Sequence, residues 1–206
     1  MAMTELEQHY NKFNEEKRLD SRHGRVEFIT SMKYIHNCLD DIKAAMDIAS
    51  DIKILDIGAG TGSVTVELAL HALYGTVYAV ERTEEGCSLI AKNAEKFGLN
   101  NIEIIHGNAA AVIYSLPVPD KVFIGGSGGE LEYIFSSILK KNPYVHIVVT
   151  AVTLETLNNT ISLMEKNGMN VLDIVQIAVT EVKKRGRYHM MSANNPVFII
   201  EGRGAK

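Results

Sequence analysis

The stretch Ile54-Leu55-Asp56-Ile57-Gly58-Ala59-Gly60-Thr61-Gly62-Ser63 constrains this chain more than any other. A short apolar run ends around an aspartate, and three glycines at alternate positions lead into a segment that reads as a helix. An apolar run without alternation fits a strand covered on both faces, as in a parallel sheet. Glycine takes dihedrals closed to other residues and lets the backbone approach a ligand closely. The helix start then offers unpaired N–H groups and a partial positive charge. The spacing G-x-G-x-G lacks the third glycine of the dinucleotide fingerprint G-x-G-x-x-G. The other candidate occupant is a zwitterion with a carboxylate, such as the methionine part of S-adenosylmethionine.

The rest of the chain extends this pattern. From residue 51 onward, short apolar segments at 53–57, 76–81, 102–106, 121–125, 146–150, 171–180 and 196–201 read as strands. Helix-like segments at 63–72, 84–97, 130–139 and 154–166, with a short turn after Asn108, alternate with the first six. That alternation predicts an α/β domain with a mainly parallel sheet. No helix separates the last two strands, which predicts an antiparallel final strand. Residues 1–50 carry helix-spaced apolar residues, among them Phe28, Met32, Ile35 and Leu39, and read as two helices forming an N-terminal helical lid. The expected organisation is therefore a lid over 1–50 and a catalytic domain over 51–206.

Composition narrows the partners. The net charge is -4, which argues against a general affinity for nucleic acid. Cys38 and Cys87 have neither metal-type spacing nor a disulfide framework, which suits a cytoplasmic protein. The polar N-terminus lacks the apolar core of a signal peptide. The most apolar stretch, 145–152, is far shorter than the ~20 residues of a membrane helix.

Three successive strand ends carry candidate binding residues. After the glycine turn comes Glu81, followed by Arg82; a carboxylate there can accept hydrogen bonds from ribose hydroxyls. The third strand runs into Gly107-Asn108-Ala109, where an amide oxygen could accept from an adenine amine. The plainer readings are a tight turn, a solvated strand end and a helix cap at Asn108. The ordered combination favours a nucleoside site. The fourth strand ends in Gly125-Gly126-Ser127-Gly128-Gly129-Glu130, whose glycines clear space for a large flat substrate or merely make a flexible connector. This strand end lacks the Asn/Asp-Pro-Pro-aromatic tetrapeptide of adenine N-methyltransferases. Between the last two strands, Lys183, Lys184, Arg185 and Arg187 concentrate positive charge, either for a polycarboxylate or as a solvated hairpin tip. His9, His36, His71 and His146 have no partner at ligand spacing and read as structural, and no metal site or Ser–His–Asp set is present in the pattern.

Residues 52–206 resemble the decarboxylating cobalt-precorrin and precorrin C15-methyltransferases of cobalamin biosynthesis. The resemblance rests on residues 55–63, Val80-Glu81-Arg82, Gly107-Asn108-Ala109, the Gly125–Gly129 turn and Asn195-Pro196-Val197. It implies a Rossmann-like class I fold with a seven-stranded, mainly parallel sheet whose last strand is antiparallel, and a homo-oligomer, usually a tetramer. It implies S-adenosylmethionine held by Asp56, Gly58, Ala59, Gly60, Thr61, Gly62, Glu81, Arg82, Gly107, Asn108, Ala109 and Gly125. A tetrapyrrole would lie on Gly126, Ser127, Gly128 and Gly129 and pair its carboxylates with Arg185 and Arg187. The family reaction methylates C15 and removes carbon dioxide from the C12 acetate; an electron-rich ring carbon needs no strong base, and no catalytic residue is assigned. Two departures stand out. Asn108 replaces the usual aspartate, and residues 20–32 resemble the head of other small-molecule methyltransferases, as in a divergent member or a chain joined from two sources. A methyltransferase for another small molecule, or a donor-binding but catalytically silent module, are the alternative readings.

Overall fold

The computed structural model describes residues 52–205 apart from 179 and 194, so the expected helical lid over 1–50 lies outside the described residues. Among the described residues, nine strands and five helices follow one another: β1 (Lys53–Ile57), α1 (Ser63–His71), β2 (Thr76–Glu81), α2 (Glu84–Lys96), β3 (Ile102–His106), α3 (Ala109–Val112), β4 (Lys121–Ile124), α4 (Leu131–Lys141), β5 (His146–Ala151), α5 (Leu154–Lys166), β6 (Asn170–Ile177), β7 (Thr180–Arg185), β8 (Tyr188–Ala193) and β9 (Val197–Arg203).

Seven strands form one sheet in the order β3-β2-β1-β4-β5-β9-β6. Neighbours from β3 to β5 run parallel, and β9 runs antiparallel between β5 and β6. The fold class read from the sequence is therefore the observed one. The order reverses between β1 and β4, where α/β sheets open a crevice beyond the carboxyl ends of their strands.

The two faces of the sheet divide the core by alternation. Leu55, Ile57, Val122, Ile124, Ile147 and Val149 point to one face and pack with Ile134, Phe135 and Ile138 of α4 and Met164 of α5. Ile54, Val77, Phe123, Val148 and Ile199 point to the other and pack with Leu68 and Ala69 of α1. Helix starts are secured locally: Thr83 and Thr153 accept the Gly86 and Thr156 N–H groups in their side-chain oxygens. The start of α1 differs, because Gly62 provides no side-chain cap.

At the amino-end edge of the sheet, three ionisable residues are buried together. Lys121 opens β4, His146 opens β5, and the two are in register. The Lys121 ammonium faces His146 Nδ1, and His146 Nε2 lies 2.7 Å from Glu201 Oε1 on β9. An ammonium can only donate, so the ring hydrogen sits on Nε2 and is donated to the carboxylate. Burial lowers the His146 pKa, opposed by the Glu201 hydrogen bond and reinforced by the Lys121 charge. His146 is structural, as its lone position in the sequence suggested, but its partners lie 25 and 55 residues away.

The largest difference from expectation lies after β6. The strand expected over 171–180 ends at Ile177, and a separate antiparallel hairpin follows. Ile177 pairs with Val197, and the next ladder position on β9 would fall at Pro196, which has no N–H to donate. The hairpin forms a two-stranded sheet of its own and turns on Gly186-Arg187, with Gly186 at φ +62° as a two-residue turn of this kind requires.

Candidate functional site

The crevice floor is a contact between two glycine turns. A β-carbon on Gly58 would meet the Gly126 oxygen at 2.4 Å and its nitrogen at 2.7 Å, so no larger residue fits against the loop after β4. The turn is anchored from below: the Gly58 and Ala59 N–H groups both donate to Val80 O, and the Gly125 N–H donates to Ile57 O. Gly60, at φ +57°, and Gly126 have open space where a side chain would be, so both leave the crevice accessible. Gly62 serves packing, since a β-carbon there would strike Ile90 Cγ1 of α2 at 2.8 Å. Thr61 is buried, and its carbonyl accepts from Asn93 Nδ2 at 2.8 Å.

Glu81 ties the crevice together. Its Oε2 accepts the Gly60 N–H at 2.9 Å, while Oε1 accepts the Thr83 N–H at 2.9 Å and the Thr83 hydroxyl at 2.8 Å. A carboxylate offers about four acceptor sites. One therefore remains, and a second hydroxyl from a ligand must displace that of Thr83. Glu81 is a nearly buried loop tie rather than a solvated strand end.

Asp56 lies beneath this turn, fully buried. The Thr65 hydroxyl donates to its Oδ2, and its Oδ1 has no hydrogen-bond partner among the described residues. Burial raises its pKa to about 7, against the Thr65 hydrogen bond and with help from the negative charge of Glu81. An unmatched buried carboxylate oxygen is costly, and a cationic or N–H donor above it would relieve that cost.

At the third strand end, the structure shows the helix-cap reading of Asn108. Asn108 caps α3: its Oδ1 accepts the Ala110 and Ala111 N–H groups at 2.8 and 3.3 Å. Its Nδ2 donates to Glu130 Oε2 at 2.6 Å. Gly107 donates its N–H to Glu81 O, which joins this turn to the end of β2, and Ala109 begins α3. Arg82 is exposed, with its carbonyl 3.2 Å from His106 Nε2. Ser127 O accepts the Glu130 N–H, and Gly128 and Gly129 take φ of +60° and +89°.

The four cations are not one cluster. Opposed residues of an antiparallel pair share a face and neighbours along a strand alternate. Lys183 and Arg185 thus share one face with Met190 and Tyr188, Lys184 shares the other with His189, and Arg187 sits in the turn. Arg187 Nε donates to the Tyr188 hydroxyl at 2.9 Å, and its guanidinium lies 5.0 Å from that ring. The hairpin leaves the sheet at the end of β6 and returns at the start of β9, the same edge as the crevice.

The structure thus gathers Asp56, Gly58–Gly60, Glu81, Gly107, Asn108 and Gly125–Gly129 at one edge and sets Arg185 and Arg187 on a separate hairpin. Sequence reasoning missed Thr65, Thr83 and Asn93, whose partners no spacing rule indicates, and gave Glu130 no role. The residues fit a methyl-donor nucleoside with an amino-acid tail: a glycine cradle, a buried carboxylate with a spare oxygen and a carboxylate with one open acceptor site.

The chain is similar to several known proteins. The model of the precorrin methyltransferase domain matches residues 43–202. A probable cobalt-precorrin-6B C(15)-methyltransferase (decarboxylating) of Saccharolobus solfataricus is 42% identical over 156 residues, 73% of this chain and 77% of that protein. The cobalt-precorrin-6B C(15)-methyltransferase (decarboxylating) of Salmonella typhimurium is 34% identical over 148 residues, 71% of this chain and 76% of that protein. Among solved structures, a precorrin-6y C5,15-methyltransferase of Geobacter metallireducens superposes with a TM-score of 0.67 at 35% identity, covering 75% of this chain and 80% of the other.

Proposed function

This chain belongs to the precorrin methyltransferase family, and from that premise we propose that it transfers a methyl group from S-adenosylmethionine to C15 of a cobalt-precorrin, with loss of the C12 acetate carboxyl. The observation that carries the reading is the Gly58–Gly126 cradle closed by Glu81, with the spare oxygen of Asp56 beneath it.

S-adenosylmethionine supplies a methyl already activated by a sulfonium charge. The chain's own residues then position and enclose. Ala59, Gly60 and Thr61 lie along the amino-acid tail, and Asp56 answers its ammonium from below. Glu81 accepts a ribose hydroxyl at its open site and a second when the Thr83 hydroxyl turns away. Arg82, Gly107, Asn108 and Ala109 would border the base, and Gly125 would stand near the sulfonium. Gly126, Ser127, Gly128 and Gly129 leave room for the face of the macrocycle. Alignment of reacting atoms supplies most of the acceleration, and such pre-positioning is worth up to roughly 7–11 kcal/mol in model reactions.

Arg185 and Arg187, on the hairpin at the same end of the sheet, pair with acetate and propionate groups of the tetrapyrrole. The chain works as a homo-oligomer, a state supported by the exposed Val182, Met190 and Met191 of the hairpin and Leu172 and Ile174 of β6. No described helix is long and apolar enough to cross a membrane. Residues 20–32 favour a second reading, another small-molecule acceptor, because that segment departs from the family pattern. An assay with labelled donor and a panel of acceptors decides between them: label is expected in a cobalt-precorrin with release of carbon dioxide, and label in a different small molecule alone overturns the first reading.

A further inference from the structure

We propose that Glu130 reads the 6-amino group of the adenine in the methyl donor, a task for which the sequence offers Asn108 as one of two readings. The inference rests on the donor reading above and adds the residue that sets the choice of base.

Asn108 is already committed. Its side-chain oxygen receives the Ala110 N–H and shares the Ala111 N–H with the Asn108 backbone oxygen as the cap of α3, and its amide nitrogen donates to Glu130. The Asn108 backbone oxygen is also engaged, by the Ala111 and Val112 N–H groups. An exocyclic amine arriving at this strand end finds no free acceptor on Asn108.

Glu130 has what Asn108 lacks. It precedes α4 but makes no side-chain cap to that helix, and its carboxylate reaches back to Asn108 instead. The strand ends from which the two loops depart, β3 and β4, are separated by β2 and β1, roughly 14 Å at the usual strand spacing. The hydrogen bond at 2.6 Å therefore brings the start of α4 to the start of α3, which share one face of the sheet, and sets the Glu130 carboxylate beside Asn108. Gly128 and Gly129 take left-handed dihedrals in the turn that leads into Glu130. Glu130 is exposed; one carboxylate oxygen is held by Asn108, and the other is open to solvent and so accessible to a ligand. An asparagine at 108 suits this arrangement, because an aspartate would oppose the Glu130 carboxylate at close range.

A carboxylate acceptor discriminates by chemistry. It takes a hydrogen bond from a 6-amino group and repels the 6-oxo group of hypoxanthine. A charged hydrogen bond of this kind corresponds to roughly tenfold or more in relative affinity. The test measures binding of S-adenosylhomocysteine and S-inosylhomocysteine by calorimetry to the wild-type chain, Glu130→Gln and Glu130→Ala. The ratio of the two affinities is the readout, and a reduced folded fraction affects both ligands equally. Wild type is expected to prefer the adenine compound by about tenfold or more, Glu130→Gln to retain part of that preference, and Glu130→Ala to bring the ratio within about threefold of unity. A ratio unchanged in Glu130→Ala overturns the inference and leaves the donor reading standing. Wild-type protein that binds neither compound overturns both.

Discussion

The same sheet buries charge at both of its edges and treats it in opposite ways. At the amino-end edge, Lys121, His146 and Glu201 satisfy one another across three strands. At the carboxyl-end edge, Asp56 is equally enclosed but one oxygen is left without a partner. In the first arrangement each of the three side chains has a partner within the protein. The second becomes complete when a donor settles above it. Burial alone therefore does not mark a working site; burial with an unanswered polar atom does.

The contrast can be broken experimentally, beginning with the largest effect. Glu201→Ala removes the buried carboxylate that accepts from His146, and is expected to cost ~3–5 kcal/mol of stability in denaturant titration. Affinity of the remaining folded protein for S-adenosylhomocysteine should stay as in wild type. A mild loss of stability would show that the triad is not a closed unit.

Asp56 comes next, and its signature is the slope of stability against pH. Its pKa is about 7 in the folded chain and near 3.8 when unfolded, so the folded state keeps a proton that the unfolded state has lost. Stability from this group is whole below pH 4 and declines as pH rises toward 7, by up to ~4 kcal/mol. Asp56→Asn should remove that decline and weaken S-adenosylhomocysteine binding. His146 slopes the other way: its folded pKa lies below 6.5, so stability is lost as pH falls through 6.5. Thermal melts of wild type and Asp56→Asn between pH 4 and 8 separate the two contributions, and superimposable profiles would remove Asp56 from the account.

Glu81→Gln removes the charge while keeping the shape, and should weaken S-adenosylhomocysteine binding by about 1–3 kcal/mol in calorimetry. Unchanged affinity would limit Glu81 to tying Gly60 and Thr83. The smallest effect on the crevice belongs to the hairpin. Arg185→Ala combined with Arg187→Ala should lower turnover of the tetrapyrrole and leave donor affinity within about 0.5 kcal/mol of wild type, as surface substitutions usually do. Equal loss of both would tie the hairpin to the cradle.

Much of this architecture was legible before any coordinates. The strand that carries Asp56 and the glycine turn were plain, because their pattern is local and few other geometries admit it. The antiparallel final strand followed from the missing helix. Three features were hidden for physical reasons. The break after Ile177 depends on what lies opposite on β9, and the run around it contains no glycine or proline of its own. The four cations read as one cluster because a sequence does not display alternation between faces until the hairpin register is known. Asn108 fits a cap and an acceptor equally well, and only the positions of Ala110, Ala111 and Glu130 assign its side-chain atoms.

The two-residue bend at Gly186-Arg187 has a practical consequence. Its ribbon pairs with itself rather than with the main sheet, so its tip can be rewritten with little penalty to the body of the molecule. Choice of acceptor and durability of the scaffold are then separate design variables, and new carboxylate-bearing compounds can be pursued on the ribbon while the donor cradle is left alone.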